Sequence, residues 1–185
     1  SSEGYSLIKT REPGGTPLGE KVRDLLLEPG LVSPYAELCL FLASRAQHIA
    51  EVIRPALQEE KIVLCDRFND STIAYQGAAR QLGVEKVADF CAFITEHLEP
   101  HLTIYLDLDP HIGKARIQRS KDRIEGEDLS FHHTIRDAFH TIAKRHPKRF
   151  KIVDASQPPA KVFADAMELV YPLLEDGHVR KDLRP

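Results

Sequence analysis

Two charged residues stand directly after a buried-looking strand in the segment KIVLCDRFNDSTIAYQG, residues 61–77. Apolar residues 62–65 run into Asp66 and Arg67, and a helical pattern follows at once. An aspartate at such a strand end can order the hydration shell of a Mg²⁺ ion, and a guanidinium can offer a planar fork to a phosphate. The pair therefore predicts an anion site at the tip of this strand.

The helix that follows carries three polar side chains on one face. If it begins near Asp70, then Thr72, Tyr75 and Gln76 fall at positions i, i+3 and i+4. A hydroxyl, an aromatic ring and an amide on one wall could recognise a planar heterocycle and limit the sugar attached to it. The alternative is a capped surface helix that binds no ligand.

A second segment with possible chemistry is TREPGGTPLGEKVRDLLL, residues 10–27. Arg11 and Glu12 stand at the tip of another predicted strand. A pair of glycines then allows a tight turn, and Pro17 fits the first turn of a helix that presents Arg23. The alternative is an ordinary strand–turn–helix with two solvated arginines.

The third segment, LCLFLASRAQH, combines an aromatic ring with a cation. Residues 38–43 are apolar all round, which predicts a buried helix. Arg45 follows Phe41 by four residues and therefore shares its face. A guanidinium beside a core segment needs an acidic partner or a ligand acceptor, so the two could read a base. Alternatively, the arginine pairs with Glu37 or Glu51.

The fourth segment, GKARIQRSKDRIEGED, residues 113–128, is rich in cations. It interrupts the alternation of strands and helices, which favours a mobile flap that brings positive charge onto a polyphosphate. A solvated charged face is the alternative. The cations are Lys114, Arg116, Arg119, Lys121 and Arg123.

The elements that must position these residues alternate along the chain. Four short runs rich in Ile, Val and Leu predict strands at 5–9, 61–65, 102–108 and 150–154. Helices are predicted at 18–27, 33–60 with a kink at Pro55, 70–81, 84–98, 110–119, 129–146 and 158–175. The pattern predicts an α/β fold, a parallel β-sheet flanked by helices, in which ligands bind beyond the carboxyl ends of the strands.

Composition narrows the class of protein further. With 42% hydrophobic residues, the 185-residue chain suits a single domain, 1–185, with a real core. A net charge of −3 without charged blocks argues against nucleic-acid and membrane partners.

Cys39, Cys65 and Cys91 are far apart among apolar neighbours, which predicts core residues of a reduced, cytoplasmic protein. The scattered histidines predict solvated surface rather than metal ligands.

Taken together, these segments resemble the thymidylate (dTMP) kinase family of P-loop nucleoside monophosphate kinases, and most closely its bacterial branch. The matching pieces, in the family's order, are TREPGGTPLGEKVRDLLL, LFLASRAQHI with IRPAL, VLCDRFNDSTIAYQG, IYLDLDP, DRIE and KIVDAS. The resemblance implies a three-layer α/β/α fold with a lid at about 114–128. It also implies transfer of the γ-phosphoryl group of ATP to dTMP, giving dTDP for dTTP synthesis. A kinase for another nucleotide and a non-catalytic nucleotide-binding protein are the alternatives.

The resemblance implies a base site. Phe41 would stack on thymine, and Arg45 would bind its exocyclic oxygen. Thr72 and Gln76 would complete the reading of the base. Tyr75 would pack against the sugar where a 2′-hydroxyl would sit, which favours deoxyribose.

It also implies a phosphate site. Arg67 and Arg23 would hold the phosphate of dTMP, while Glu12 and Asp66 would order Mg²⁺ or its water shell. Arg11 would support this loop.

On the ATP side, the resemblance implies that Arg116, Arg119 and Arg123 belong to the lid, with the latter two acting in catalysis beside Arg67. The loop near adenine would include Asp154, Ser156 and Gln157.

One motif of the family is not found in the sequence. P-loop enzymes need GxxxxGK[ST], whose backbone N–H groups and lysine hold the phosphates, and EPGGTPLGEK has the wrong spacing. In the family this motif precedes the segment that begins here near Tyr5, so we expect it upstream rather than lost. The resemblance further implies a homodimer, and the apolar helical faces at 38–53 and 84–94 could supply its interface.

Overall fold

The structure contains four parallel strands, and most of the predicted functional residues lie at or near their carboxyl ends. The computed structural model describes residues 5–30 and 32–175. Its strands are β1 Leu7–Arg11, β2 Ile62–Asp66, β3 Thr103–Asp107 and β4 Phe150–Asp154. All four predicted strands are confirmed within a few residues, and so is the parallel α/β fold.

The strands pair as β1 with β2 and β3 with β4, each pair parallel. Arg11 lies opposite Asp66, and Asp107 opposite Asp154, so each pair ends on charged residues at its carboxyl edge. Within the described residues β2 and β3 are not hydrogen-bonded to each other. The predicted sheet is therefore present as two parallel pairs.

The helices follow the predicted order and begin at recognisable caps. They are α1 Pro17–Leu27, α2 Pro34–His48, α3 Arg54–Gln58, α4 Asn69–Thr72, α5 Val84–Thr95, α6 Pro110–Arg116, α7 Leu129–Arg145 and α8 Pro159–Glu175. Thr16 caps α1 by accepting a hydrogen bond from the N–H of Gly19, and Ser33 caps α2 in the same way through Ala36. A proline in the first turn pre-sets the backbone of each of these two helices.

Two stretches of π-helix interrupt what the sequence presents as continuous helices. The first, Ile49–Ile53, lies between α2 and α3. Pro55 then falls in the first turn of α3, where its missing N–H costs least. The second, Ile73–Ala79, continues α4. At the position of the predicted kink, the helix thus changes from α- to π-helical, and this change precedes Pro55.

The core forms two clusters of buried side chains. One joins the second π-helical stretch to α7 and β4, and the other joins α2 to α5 through Leu38, Leu42, Val87 and Cys91. Cys91 is buried and Cys65 is half-buried, but Cys39 is exposed, so the prediction that all three cysteines are core residues holds fully only for Cys91 and is wrong for Cys39. The reason is that α2 buries only one face.

Other predictions about burial also need correction. Ala43 is exposed, so residues 38–43 are not buried all round as their composition suggests. Leu64 and Leu106 remain 56% and 51% exposed, although uninterrupted apolar runs are typical of strands that are covered on both faces. None of the helices in the described part of the chain combines the length and apolarity needed to span a bilayer.

Candidate active site

A cavity of about 250 Å³ opens at the carboxyl ends of β1 and β2. Its walls come from these strand ends, from α1 and α2, from the second π-helical stretch and from residues 119–132. The structure therefore brings most of the predicted site residues to one place. Those that line the cavity are Arg11, Glu12, Arg23, Phe41, Arg45, Asp66, Arg67, Thr72, Tyr75, Gln76 and Arg119.

Arg45 crosses the inner wall of this cavity and is only 1% exposed. Its Nε donates to Glu12 Oε2 at 2.6 Å, and its Nη2 donates to Thr72 Oγ1 at 2.9 Å. A buried guanidinium needs such an anionic partner because desolvation alone would be very costly. The partner is Glu12, and neither Glu37 nor Glu51, the two acids that the sequence offered.

Glu12 is held from its other side by a histidine, for which the prediction of a solvated surface position is wrong. His48 is fully buried, and its Nδ1 lies 2.9 Å from Glu12 Oε1. The His48 Nε2 lies 2.6 Å from Thr10 Oγ1. A continuous chain of hydrogen bonds therefore runs from Thr10 on β1 to Thr72 beside the cavity, and it fixes the orientation of Glu12. The sequence feature that could have revealed His48 is its spacing, because it follows Arg45 by three residues and so lies on the same face of the helix.

Glu12, His48 and Cys65 place three potential metal-ligating atoms within 4.8 Å of one another. Burial, followed by the charge of Glu12, raises the pKa of the Cys65 thiol to about 12, so this sulfur stays protonated at neutral pH. Its S–H donates to the carbonyl of Arg67 at 3.1 Å. Glu12 and His48 are hydrogen-bonded as well, so each of the three side chains already has a hydrogen-bond partner, and we assign this cluster to the hydrogen-bond network.

Arg67 stands between the strand tip and an aromatic wall. Its guanidinium lies 5.1 Å from the centre of the Tyr75 ring, in cation–π range. Burial lowers the pKa of Arg67, but Tyr75, Asp66 and Asp122 outweigh it and raise that pKa overall. Its φ of 68° is in the left-handed region that favours glycine. A charged residue with a strained backbone at a cavity wall is typical of a functional position.

The turn after β1 is braced by ion pairing. Arg11 Nη2 donates to Glu20 Oε2 at 2.7 Å, and the other carboxylate oxygen accepts the N–H of Gly15 at 2.9 Å. Arg23 Nη1 donates to the carbonyl of Pro13 at 3.2 Å, which places the Arg23 guanidinium over the same turn. These contacts leave both arginines at the cavity mouth.

Glu37 is a buried hub behind the cavity wall. It is fully buried, and its Oε1 accepts from Gln76 Nε2 at 2.7 Å and from Arg80 Nε at 3.2 Å. Its Oε2 accepts from Arg80 Nη2 at 3.3 Å and lies 2.7 Å from Arg123 Nη2 in an ion pair. Burial raises the pKa of this carboxyl, but the hydrogen bonds from Gln76 and the two arginines outweigh burial and hold the pKa below its ordinary value.

The predicted lid residues divide into two groups. Arg119 lines the cavity and makes two hydrogen bonds to Glu125, at 2.9 and 2.7 Å. Arg123 does not line it, because its Nε donates to the carbonyl of Leu26 at 3.0 Å and its other end pairs with Glu37. Arg123 therefore anchors the lid segment to α1 and α2.

The residues predicted to lie near adenine form a separate group outside the cavity lining. Arg116 Nη1 donates to the carbonyl of Ala155 at 3.3 Å. Asp154 Oδ1 accepts from the N–H of Ser156 at 2.8 Å, and Gln157 Nε2 donates to the carbonyl of Asp154 at 3.4 Å. The turn after β4 and the end of α6 are thus brought together.

Some lining residues were not predicted at all. They are Pro13, Leu27, Ser71, Asp122, Ile124, Glu125 and His132. Burial and then the charge of Lys114 lower the pKa of His132, so this ring is neutral at pH 7. Sequence reasoning assigned all the histidines to solvated surface, since neighbouring histidines at a helix start carry no signal of burial.

Cations, carboxylates, an aromatic ring and an amide thus meet in one cavity at the carboxyl ends of parallel strands. This combination defines an α/β nucleotide-binding protein, because such sheets bind ligands at this edge and mixed polar and aromatic linings suit a base with a phosphate.

Comparison with known proteins identifies the family. A model of the thymidylate kinase family, described as "Thymidylate kinase", matches residues 1–166. A thymidylate kinase of Protochlamydia amoebophila is 46% identical, with 97% of this chain and 85% of the relative covered. One from Lactobacillus delbrueckii subsp. bulgaricus is 47% identical, with 89% and 80% covered. A solved thymidylate kinase structure from Ehrlichia chaffeensis aligns with a TM-score of 0.72 and 31% identity, with 89% of this chain and 80% of that chain covered. The chain belongs to the thymidylate kinase family.

Proposed function

We propose that the described cavity is the site where this member of the thymidylate kinase family binds dTMP. There it would receive the γ-phosphoryl group of ATP, giving dTDP, the reaction of the family. The observation that carries the proposal is that Phe41, Arg45, Arg67 and Gln76 line a single cavity. Had they faced separate regions, no one nucleotide could touch them all.

At the base end, the chemistry of the wall suits a pyrimidine. Phe41 offers a ring for stacking, and such contacts supply much of the affinity for a flat heterocycle. Arg45 and Thr72 are hydrogen-bonded to each other, so they present a preorganised edge. Tyr75 packs edge-on against Phe131 and Phe139, which fixes it as a rigid wall where a 2′-hydroxyl would otherwise fit.

At the phosphate end, the proposed role of the site is to position the phosphates and to neutralise their negative charge. Arg67 follows the tip of β2, Arg23 lies on α1 and Arg119 lies in the lid segment, and all three line the cavity. Phosphoryl transfer asks little covalent chemistry of the protein, and most of the acceleration comes from aligning the two phosphates and compensating developing charge. Residues 119–125 beside the cavity would also exclude water from the reaction.

Two carboxylates were predicted to order Mg²⁺, and the geometry favours one of them. Both oxygens of Glu12 already accept hydrogen bonds, from Arg45 and His48. Asp66 lines the cavity with a hard oxygen donor at the strand tip, which fits a Mg²⁺ ion held through water. When bound, the ion would neutralise charge on the phosphates.

On the ATP side, we infer that Arg116 and the turn at 154–157 contact the adenine end of the donor. Arg119 would reach the transferred phosphate from the lid. The support is that Arg116 and this turn are hydrogen-bonded together, beyond the carboxyl ends of β3 and β4.

We infer that the protein works as a cytoplasmic homodimer. Ala36, Cys39, Ala43, Ala46 and Ala50 form an exposed apolar face along α2 and the π-helical turn after it. On α5, which packs against α2, Phe90 and Phe93 are 47% and 76% exposed. Large exposed apolar patches mark interaction surfaces, and a two-fold contact between copies would cover this one.

Nucleotide preference tests the proposed activity. We expect dTMP to give a larger thermal shift than dUMP, dCMP or dGMP, and ADP release from ATP to be fastest with dTMP. A larger shift with one of the other nucleotides would contradict the assigned substrate. Tight dTMP binding without ADP release, in the presence of Mg²⁺ and ATP, would contradict the assigned activity.

A further inference from the structure

We propose that Glu37 determines which pyrimidine the cavity accepts, because it fixes the orientation of the Gln76 amide. The inference rests on the function proposed above and goes beyond it, since Glu37 itself lies behind the wall and does not line the cavity. It is thus a positioning residue for base recognition.

The orientation follows from what each group can donate. An ionised carboxylate only accepts hydrogen bonds, whereas a side-chain amide has one donating end and one accepting end. Glu37 Oε1 lies 2.7 Å from the Gln76 amide, and both side chains are almost completely buried, at 0% and 1% exposed. Gln76 must therefore turn its NH₂ group toward Glu37, and its carbonyl oxygen is left for the cavity.

The charge of Glu37 is secured by two arginines. Arg80 donates to both carboxylate oxygens, at 3.2 and 3.3 Å, and Arg123 pairs with Oε2 at 2.7 Å. Their side chains are themselves only 16% and 11% exposed, so water screens the attraction weakly. Gln76 thus meets a permanent acceptor rather than a carboxylic acid that could also donate.

This arrangement has a consequence for the base. Thymine and uracil carry a ring N–H at position 3, which can donate to the Gln76 oxygen. Cytosine has a bare nitrogen there, and two acceptors would then face each other in a buried site. An unsatisfied buried acceptor costs about 1–3 kcal/mol, which corresponds to roughly a five- to 150-fold preference for the base with the N–H.

The variant Glu37→Gln reverses this geometry. Two arginine donors, from Arg80 and Arg123, reach the Oε2 position, and only the Arg80 Nε, at 3.2 Å, reaches Oε1. The new amide oxygen therefore occupies the Oε2 position, and the new NH₂ group faces Gln76 at the cost of the Arg80 Nε contact. Gln76 then turns its own oxygen toward residue 37 and its NH₂ group toward the cavity. We expect dTMP affinity to fall about tenfold and the preference for dTMP over dCMP to fall at least about tenfold, measured by isothermal titration and by competition.

Two further variants sharpen the test. Glu51→Gln is the matched control, because Glu51 accepts from Gln47 in an exposed Glu–Gln pair near the end of the same helix. It is expected to leave both affinities unchanged. The double variant Glu37→Gln with Gln76→Glu returns an acceptor to the cavity wall and keeps one carboxylate in the buried 37–76 pair. It is expected to restore a preference for dTMP over dCMP.

The outcomes separate the two proposals. Wild-type protein that does not prefer dTMP over dCMP overturns the proposed function, and this inference with it. Wild-type preference for dTMP that persists unchanged in a folded Glu37→Gln variant overturns the role of Glu37 alone. If that variant does not fold, the double variant decides: dTMP preference supports the inference, and equal affinity for the two nucleotides overturns it.

Discussion

Arg45, Glu12 and His48 show how single residues build the site. Each is almost completely buried, and each satisfies a polar group of its neighbour. Removing one member of such a buried set leaves another charge or polar group unpaired, which costs far more than an exposed ion pair. The aromatic and cationic groups that face the cavity are thus supported from behind by a rigid polar network.

Arg67 gives a prediction about the phosphate. Replacing it with alanine removes a guanidinium at the strand tip and should weaken dTMP binding at least about tenfold. Thymidine, which lacks the phosphate, should lose less than about twofold. Titration of both ligands measures the difference, and Arg54→Ala, which breaks an exposed pair with Glu96, is the control. Equal losses for the two ligands would place Arg67 at the base rather than at the phosphate.

Gly15 gives a prediction about stability. Its φ of +78° is unfavourable for other residues, and an added Cβ would lie 2.7 Å from both His48 Cδ2 and Thr10 Oγ1. Gly15→Ala should therefore lower the free energy of unfolding by about 1–3 kcal/mol. Gly113→Ala, where the nearest atom lies at 3.8 Å, is the control. Thermal or denaturant unfolding compares them, and equal stabilities would contradict the tight packing around Gly15.

His132 gives a prediction about pH. Burial, and then Lys114, lower the pKa of His132 below its ordinary value of 6.5, so the folded state favours the neutral ring. Its contribution to stability is complete above pH 6.5 and declines as the pH falls below that value. The melting temperature of the wild type should thus fall more between pH 7 and pH 5 than that of His132→Gln. Parallel pH profiles for the two proteins would contradict this.

At the scale of elements, strands and helix caps were predictable, whereas helical winding was not. Apolar runs bounded by polar residues predicted β1 to β4, and the helix predicted from residue 33 matches the start of α2. The π-helical stretches at Ile49–Ile53 and Ile73–Ala79 escaped prediction, because an added residue per turn leaves no mark in composition. The second one sets the direction of Gln76, so its geometry could come only from the structure.

The exposed face of α2 and α5 gives a prediction at this scale. Phe93→Asp puts a charge on the proposed dimer interface and should convert the protein from a dimer to a monomer, as measured by light scattering after size-exclusion chromatography. Phe163→Asp is the matched control, because Phe163 is similarly exposed, at 67%, but lies on α8. A wild-type monomer, or a Phe93→Asp variant that stays dimeric, would contradict the proposed interface.

At the scale of the whole molecule, residues distant in sequence meet because parallel strands end at one edge. The sequence predicted that Phe41, Arg45, Arg67 and Gln76 would share a cavity, and they do. It did not predict which charges pair, since Arg45 bonds to Glu12 across 33 positions and Arg123 to Glu37 across 86. Such long-range partners depend on how helices pack, which local patterns do not specify.

A structure of the protein with dTMP bound is the most direct test of the account. We expect the pyrimidine ring to lie against Phe41 with its position-3 N–H toward Gln76, and the phosphate to lie beside Arg67 at the tip of β2. A nucleotide bound outside this cavity, or bound in it with the phosphate at Phe41 and the base at Arg67, would contradict the account.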